Sequence, residues 1–281
     1  MTAEPVIAVI AAGDMGAGVG ARLGQRGCRV LTSLAGRSAA TRARAKAAGM
    51  ADASDAELAA ADMILSIVPP GDALALAERL APALAAAPAK PLYVDCNAVS
   101  PQTVRTIAAV VEGAGAPLID AGIIGWPPAG DYSPAIYASG RDALRLAALT
   151  GHGLDIRTMD GPVGQASALK MCYAGLTKGL HAVGVAVIRG AMEAGVDEAF
   201  LAELAATQPM LLDHFRRRTP GVFGKAYRWV AEMQEIGDFL GGPGEAIYDG
   251  AAALFDDMAK DHAGPKTAEA ALLAFLARPS R

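Results

Sequence analysis

The chain has 281 residues and a formal net charge of −4, a balance that leaves no basic footprint for nucleic acid. Much of its 53% hydrophobic content is alanine, and no run reaches the ~18 uninterrupted apolar residues of a spanning helix, so no membrane partner is expected. Cys28, Cys96 and Cys172 are far apart and without metal spacing, and Met1–Pro5 lacks the features of a signal peptide; a reducing, cytoplasmic setting and no metal site are expected.

The first element is the most informative. Val6-Ile-Ala-Val-Ile-Ala is a short apolar run followed by Ala-Gly-Asp-Met-Gly16 and then by a helical pattern. A buried strand feeding a tight turn and a helix opens a dinucleotide-binding βαβ unit, where the helix N-terminus receives a pyrophosphate. Ala12, Gly13, Asp14, Met15 and Gly16 are the candidate phosphate-turn residues. Ala11 stands where the Gly-x-Gly-x-x-Gly pattern has its first glycine, which restricts the backbone there.

Further strands are predicted at 28–33, 63–68, 91–95, 117–120 and 134–139. Helical patterns fill 15–26, 39–48, 55–60, 72–86, 101–113 and 141–150. This alternation predicts an α/β Rossmann domain with a mostly parallel sheet. Its ligand sits beyond the strand C-termini, where Gly13, Arg37, Pro69, Asn97 and Gly122 are expected to fall. After about residue 162 the pattern is wholly helical. A long helix over 163–194 is followed by helices near 197–206 (with Asp197 as N-cap), 209–217, 224–239, 245–260 and 266–277. The domains are therefore expected to be 1–161, binding the nucleotide, and 162–281, an all-α domain joined through the long helix.

The second strand bears on the choice of nucleotide. An NAD site carries an acidic residue near the end of that strand, but Val30-Leu-Thr-Ser-Leu-Ala-Gly-Arg-Ser38 has none. Ser33, Arg37 and Ser38 can instead hold a 2′-phosphate, which favours NADP(H) over NAD(H). Val68, Pro69 and Asn97 complete the candidate cofactor residues.

Four segments in order resemble the β-hydroxyacid dehydrogenase superfamily, which includes 6-phosphogluconate and 3-hydroxyisobutyrate dehydrogenases. They are IAAGDMGAGVGARL, VDCNAVSP at 94–101, DAGIIG at 120–125 and GPVGQASALKMCYA at 161–174. In the last, Gly161 and Gly164 fall nine and six positions before Lys170. The C-terminal segments ALKMCYAGLTKG and RWVAEMQEIGDFL resemble a phosphogluconate-dehydrogenase-like subgroup with its own short C-terminal domain. The resemblance implies an NADP-dependent oxidoreductase with Lys170 as general acid/base, moving a proton at a substrate oxygen while hydride moves at carbon. It places the substrate at Gly122, Ile123, Ile124 and Gly125, with Trp126 as an apolar wall.

The chain departs from the family at the positions that touch substrate. Tyr173 and Ala174 stand where the family has two asparagines, and Ile124 stands where it has serine. Tyr173 and Thr177 are the candidate replacements for the lost hydrogen bonds, Thr177 lying within roughly 20° of Lys170 around the helix axis. His181, ~16 Å along that axis, is expected to be a packing residue. Arg216–Arg218 is expected to be a solvated helix end. Gly175, Gly179, Gly184 and Gly190 in the long helix signal close approach of another helix, either within the chain or in a homodimer through the helical domain; the dimer is preferred. Two other functions stay open, reduction of an imine and NADP binding without turnover as a sensor or scaffold.

Overall fold

The structure is a computed structural model and describes residues 4–279. It forms two compact units that divide after Met171.

The first unit is a doubly wound sheet. Its strands are β1 (Val6–Ile10), β2 (Arg29–Thr32), β3 (Ala51–Asp52), β4 (Met63–Ser66), β5 (Leu92–Asp95), β6 (Leu118–Ile124), β7 (Ala135–Ser139) and β8 (Asp155–Thr158). The order across the sheet is β3-β2-β1-β4-β5-β6-β7-β8, parallel throughout except for the β6–β7 pair. The helices are α1 (Asp14–Gln25), α2 (Ala39–Ala47), α3 (Asp55–Ala59), α4 (Ala73–Ala86), α5 (Pro101–Gly113) and α6 (Ala143–Leu146). They cover both faces of the sheet. β1 alternates accordingly, with Ile7 and Val9 in one apolar core and Ala8 and Ile10 in the other. The chain reverses strand order between β1 and β4, the switch point at which such sheets bind ligands.

Two strands escape the sequence pattern. β3 has two residues, and β8 (Asp-Ile-Arg-Thr) is a half-exposed edge strand with only one apolar side chain. β6 is longer than expected because β7 pairs along it from Asp120↔Ser139 to Ile124↔Ala135. Gly122 and Ile123 therefore lie inside a strand, not in a loop beyond its end.

α7 (Gln165–Glu193) crosses the division between the units. By length and composition it matches a membrane span, yet it carries Lys170, Lys178 and Arg189. Lys178 pairs with the buried carboxylate of Glu232 and lies 4.9 Å from the centre of the Trp229 ring. The second unit continues with α8 (Asp197–Thr207), α9 (Pro209–Arg218), α10 (Ala226–Leu240), α11 (Gly242–Ala263) and α12 (Thr267–Ala277). Asp197 is the first helical residue of α8, and Val196 is the N-cap; the Asp197 carboxylate pairs with Arg278 instead. Arg216 is not solvated as expected: its guanidinium donates to the carbonyls of Leu276 and Arg278 at 3.0 and 2.6 Å.

Three of the four glycines of α7 meet neighbours from the same chain. A Cβ on Gly175 or Gly179 would lie within about 3 Å of the Tyr248 hydroxyl, and one on Gly184 would lie 2.3 Å from the Phe215 ring. Close intrachain packing accounts for these three, whereas a Cβ on Gly190 would meet nothing within 4 Å among the described residues.

His181 is buried and stacks on His214 at 5.0 Å between ring centroids. Burial, then His214 and Arg218, push its pKa down from 6.5 to about 4. The folded state thus holds this ring neutral, and the unfolded chain binds the extra proton first as the pH falls. Stability is expected to drop between about pH 6.5 and about pH 4, by on the order of 3 kcal/mol. Denaturant unfolding across this window should show the loss, and His181→Phe should flatten it.

Candidate active site

The phosphate turn follows from the packing of β1 and α1. Gly13 takes an extended conformation and is the N-cap of α1, and no side chain among the described residues caps that helix end. Ser38, Ser54 and Ser100, by contrast, cap α2, α3 and α5. The first-turn N–H groups of α1 have no intrahelical acceptor and, with the positive dipole end, suit an anion. A Cβ on Gly13 would meet nothing within 4 Å, so the turn is open on that side. A Cβ on Gly16 would lie 1.9 Å from the Ala11 carbonyl oxygen, so only glycine lets the helix approach the strand this closely. Ala11 itself is accommodated, with its N–H donating to Ile67 O at 3.0 Å.

Around this turn the structure adds a residue absent from the sequence reading. Arg44 of α2 donates to Ala12 O at 3.1 Å and stands 3.4 Å from the Asp14 carboxylate. The basic run of α2 was its only sequence signal. Beyond β2, Ser33 is buried, Arg37 is half-buried and the exposed Ser38 hydroxyl accepts from Thr41 N–H. β3 also delivers a carboxylate that a linear scan of β2 misses: Asp52 Oδ1 accepts from Leu34 N–H at 2.8 Å.

Asn97 lies just beyond the end of β5. Its side chain is buried, accepts from Val68 N–H at 2.7 Å, and donates to Ser66 Oγ and Asp95 Oδ2, each at 2.8 Å. All of the amide's obvious donors and one acceptor site are engaged, so Asn97 holds the Val68–Pro69 loop in position. Ser100 caps α5.

Lys170 is set by β6 and the start of α7. Its Nζ donates to Ile123 O at 2.7 Å. The Ile123 side chain is buried in the core, so its carbonyl rather than its side chain faces the lysine. A Cβ on Gly122 would lie 3.0 Å from Ala166 O and 3.1 Å from Lys170 Cβ, so the missing side chain lets α7 lie on the strand. Ile124 is half-buried; Gly125 and Trp126 are exposed at the strand's end. Trp126 N–H donates to the Tyr132 hydroxyl at 3.1 Å. The loop beyond is tied to α1 by Arg22, which donates to the carbonyls of Gly130 and Tyr132 at 2.7 and 3.0 Å. The first unit thus brings together an open phosphate turn at the switch point and an amine held on β6.

The model of the NAD binding domain of 6-phosphogluconate dehydrogenase matches residues 6–148. The chain belongs to this family. Residues 191–258 match a second model, described as Domain of unknown function (DUF1932). An uncharacterized 28.5 kDa protein of Methanothermus fervidus is 30% identical over 214 residues, covering 75% of this chain and 81% of that protein. Among solved structures, the conserved protein MTH1747, described as similar to 3-hydroxyacid dehydrogenases, is 30% identical with a TM-score of 0.67, over 92% of this chain and 98% of that one. The 3-hydroxyisobutyrate dehydrogenase of Mycobacterium tuberculosis, solved with L-serine, shares the fold at 20% identity and a TM-score of 0.68, over 93% and 96%. Family membership makes the chain an NAD(P)-dependent dehydrogenase or reductase.

The remaining candidates lie in the second unit. Tyr173, at a position where the family has asparagine, is 51% exposed. Thr177 Oγ1 donates to Tyr173 O at 2.8 Å, the back-bond a helical threonine makes one turn up, so its proton is committed to its own helix and only acceptor capacity remains. His181 is packed in the aromatic cluster already described. No group of three or more His, Cys, Asp or Glu side chains suited to a metal occurs among the described residues.

Asp120, Ser139 and Ser167 form a buried polar cluster that no local motif announces. Asp120 is fully buried and accepts from Ser139 Oγ, Gly164 N–H, Ser167 N–H and Ser167 Oγ at 2.6–3.1 Å. Its signal was a carboxylate inside the apolar run Pro-Leu-Ile-Asp-Ala-Gly-Ile-Ile, since an aspartate is almost never buried without partners.

Proposed function

We propose that the protein is an NADP-dependent oxidoreductase that transfers hydride between the nicotinamide and a hydroxyl or carbonyl substrate, with Lys170 as general acid/base. The observation that carries this reading is the held amine: Lys170 Nζ sits on Ile123 O, in the same compact unit as an open phosphate turn. The bound cofactor supplies the hydride acceptor or donor. Residues 1–161 hold it, with Gly13, Asp14, Met15 and Gly16 at the pyrophosphate. Lys170 holds or returns the proton at the substrate oxygen.

The loss of the family's serine at Ile124 removes a carboxylate-binding group, and the loss of its asparagines at Tyr173 and Ala174 removes groups that orient the lysine and bind substrate. A bulkier or less acidic β-hydroxyacid relative is the substrate class that fits, with Trp126 as its apolar wall. Imine reduction is disfavoured by the presence of Lys170.

Arg37 and Ser38 beyond β2, with no acidic residue in that segment, support NADP(H). One observation favours NAD(H), the Asp52 carboxylate beside Leu34. Fluorescence titration with NADPH and NADH decides between them. Wild type is expected to prefer NADPH, and Arg37→Ala to lose roughly 10- to 100-fold of NADPH affinity with NADH affinity unchanged. Equal binding of both nucleotides by wild type would overturn the NADP assignment.

A homodimer through residues 162–281 is supported by an exposed stripe on α7, where Leu176, Val183 and Val187 recur at near-heptad spacing and are 73%, 56% and 49% exposed. An apolar groove of about 530 Å³ beside it is lined by Ala182, Val183, Ile247, Tyr248 and Leu254. The three cysteines are free, which fits a cytoplasmic setting.

A further inference from the structure

We propose that Asp120 is the positioning residue for Lys170: its buried carboxylate caps the start of α7 and thereby sets where the amine stands on β6. The proposal rests on the reading of Lys170 as the proton-transfer group. Three observations carry it.

The first is the completeness of the cap. The opening amides of an α-helix have no intrahelical acceptor. Here Gly164 N–H and Ser167 N–H donate to Asp120 Oδ2 at 2.8 and 3.1 Å, and Ala166 N–H donates to Ser139 Oγ at 3.0 Å. Ser139 Oγ in turn donates to the same Asp120 oxygen at 2.9 Å, and Ser167 Oγ donates to Oδ1 at 2.6 Å. Every one of these partners is an N–H or O–H donor, the environment a buried anion needs.

The second is register. Asp120 and Gly122 project to the same face of β6, two positions apart. Ser167 and Lys170 are neighbours on one face of α7, three positions apart. The strand and the helix are therefore pinned twice, at Asp120–Ser167 and at Ile123–Lys170. Between the pins the missing Gly122 side chain leaves the space that Ala166 O and Lys170 Cβ occupy.

The third is close approach. A Cβ on Gly122 would lie 3.0 Å from Ala166 O and 3.1 Å from Lys170 Cβ, tighter than an ordinary contact, so α7 lies close on β6 and a shift along the strand strains one of the two pins. A change at the cap is thus transmitted to the amine.

The variants separate geometry from charge. In Asp120→Asn, the amide oxygen in the place of Oδ2 keeps its three donors, and the amide NH₂ faces Ser167 Oγ, which can rotate to accept. Asp120→Ala removes every acceptor. Pulse labelling of the full chain with acetic anhydride, read by peptide mass spectrometry, reports the freedom of individual amines. Exposed Lys46 is one reference, and Lys90, held by the carbonyls of Leu84 and Ala85, is the reference for general loosening.

In Asp120→Ala, Lys170 labelling is expected to rise roughly tenfold, the change that follows from losing about one hydrogen bond. Lys90 should be unchanged, and Asp120→Asn should stay within about twofold of wild type. Wild-type Lys170 labelling in the Ala variant, an equal rise at Lys90, or an Asn variant as reactive as the Ala variant would each overturn the proposal. Should Asp120→Ala not fold, Ser167→Ala removes the Oδ1 bond alone, and a Lys170 rise of about threefold is expected; no rise overturns the proposal. Labelling needs no turnover, so a Lys170→Ala protein that remained active would remove the proton-transfer reading and leave this result standing.

Discussion

Lys170→Ala is expected to lower turnover by about two to four orders of magnitude while leaving NADPH affinity within about twofold of wild type. The size follows from what the amine does. Hydride transfer to a carbonyl leaves an alkoxide that needs a proton, and hydride removal from an alcohol needs its hydroxyl proton taken. A positioned acid/base contributes about that factor. Lys170 Nζ is positioned by Ile123 O at 2.7 Å, and the phosphate turn is built by other elements, so the two effects separate. Lys170→Arg should not restore activity, because a guanidinium does not release its proton in the working range. A parallel fall in kcat and kcat/KM would place the loss in the transition state rather than in substrate binding.

Gly16→Ala is expected to be the most damaging single methyl in the first unit. The new Cβ would sit 1.9 Å from the Ala11 carbonyl oxygen, a backbone atom that no rotamer change can move aside. Either α1 lifts from β1 or the Ala11–Gly13 turn shifts. Overpacking of this kind costs about 3 kcal/mol. Lifting α1 also displaces the open N–H groups at its N-terminus, so NADPH affinity is expected to fall more than tenfold. Denaturant unfolding reads the first effect and fluorescence titration the second. Gly13→Ala is the informative contrast: its Cβ would meet nothing within 4 Å in the protein, so stability should hardly change. A loss of affinity there would mark the side from which the pyrophosphate approaches.

Much of the first unit was legible because its strands are buried on both faces. β1 is an unbroken apolar run and β4 and β5 are apolar up to their last residues, Ser66 and Asp95, and such runs bounded by turn residues announce a parallel sheet. β8 and β3 were invisible for the opposite reason. An edge strand that is half polar carries neither continuous hydrophobicity nor clean alternation. The helices of the second unit were legible from their period, but the roles of their ends were not. Asp197 looks like a cap in sequence, yet its carboxylate finds Arg278, 81 residues away. Arg216 looks solvated until the carbonyls of Leu276 and Arg278 come to it.

The candidate site divides in the same way. Gly13, Gly16 and Lys170 belong to motifs whose spacing is local. Asn97 was found by motif, but the partners of its amide, Val68, Ser66 and Asp95, lie on or just beyond adjacent strands and were not visible in the spacing. Gly122 was expected in a loop because the antiparallel partner β7, which extends β6, lies further along the chain. Asp120 and Arg44 act through contacts 44 to 47 and 32 residues distant, and no linear spacing encodes those.

The most direct test of the central claim is the absorbance of reduced nicotinamide when the purified protein is given NADP⁺ and a panel of β-hydroxyacids and bulkier alcohols, run beside Lys170→Ala. NADPH formation with at least one member of the panel, lost in the variant, is the predicted result. Tight NADPH binding with no turnover of any hydroxyacid, alcohol or, in the reverse direction, imine would contradict it and leave a nucleotide-binding protein without catalysis.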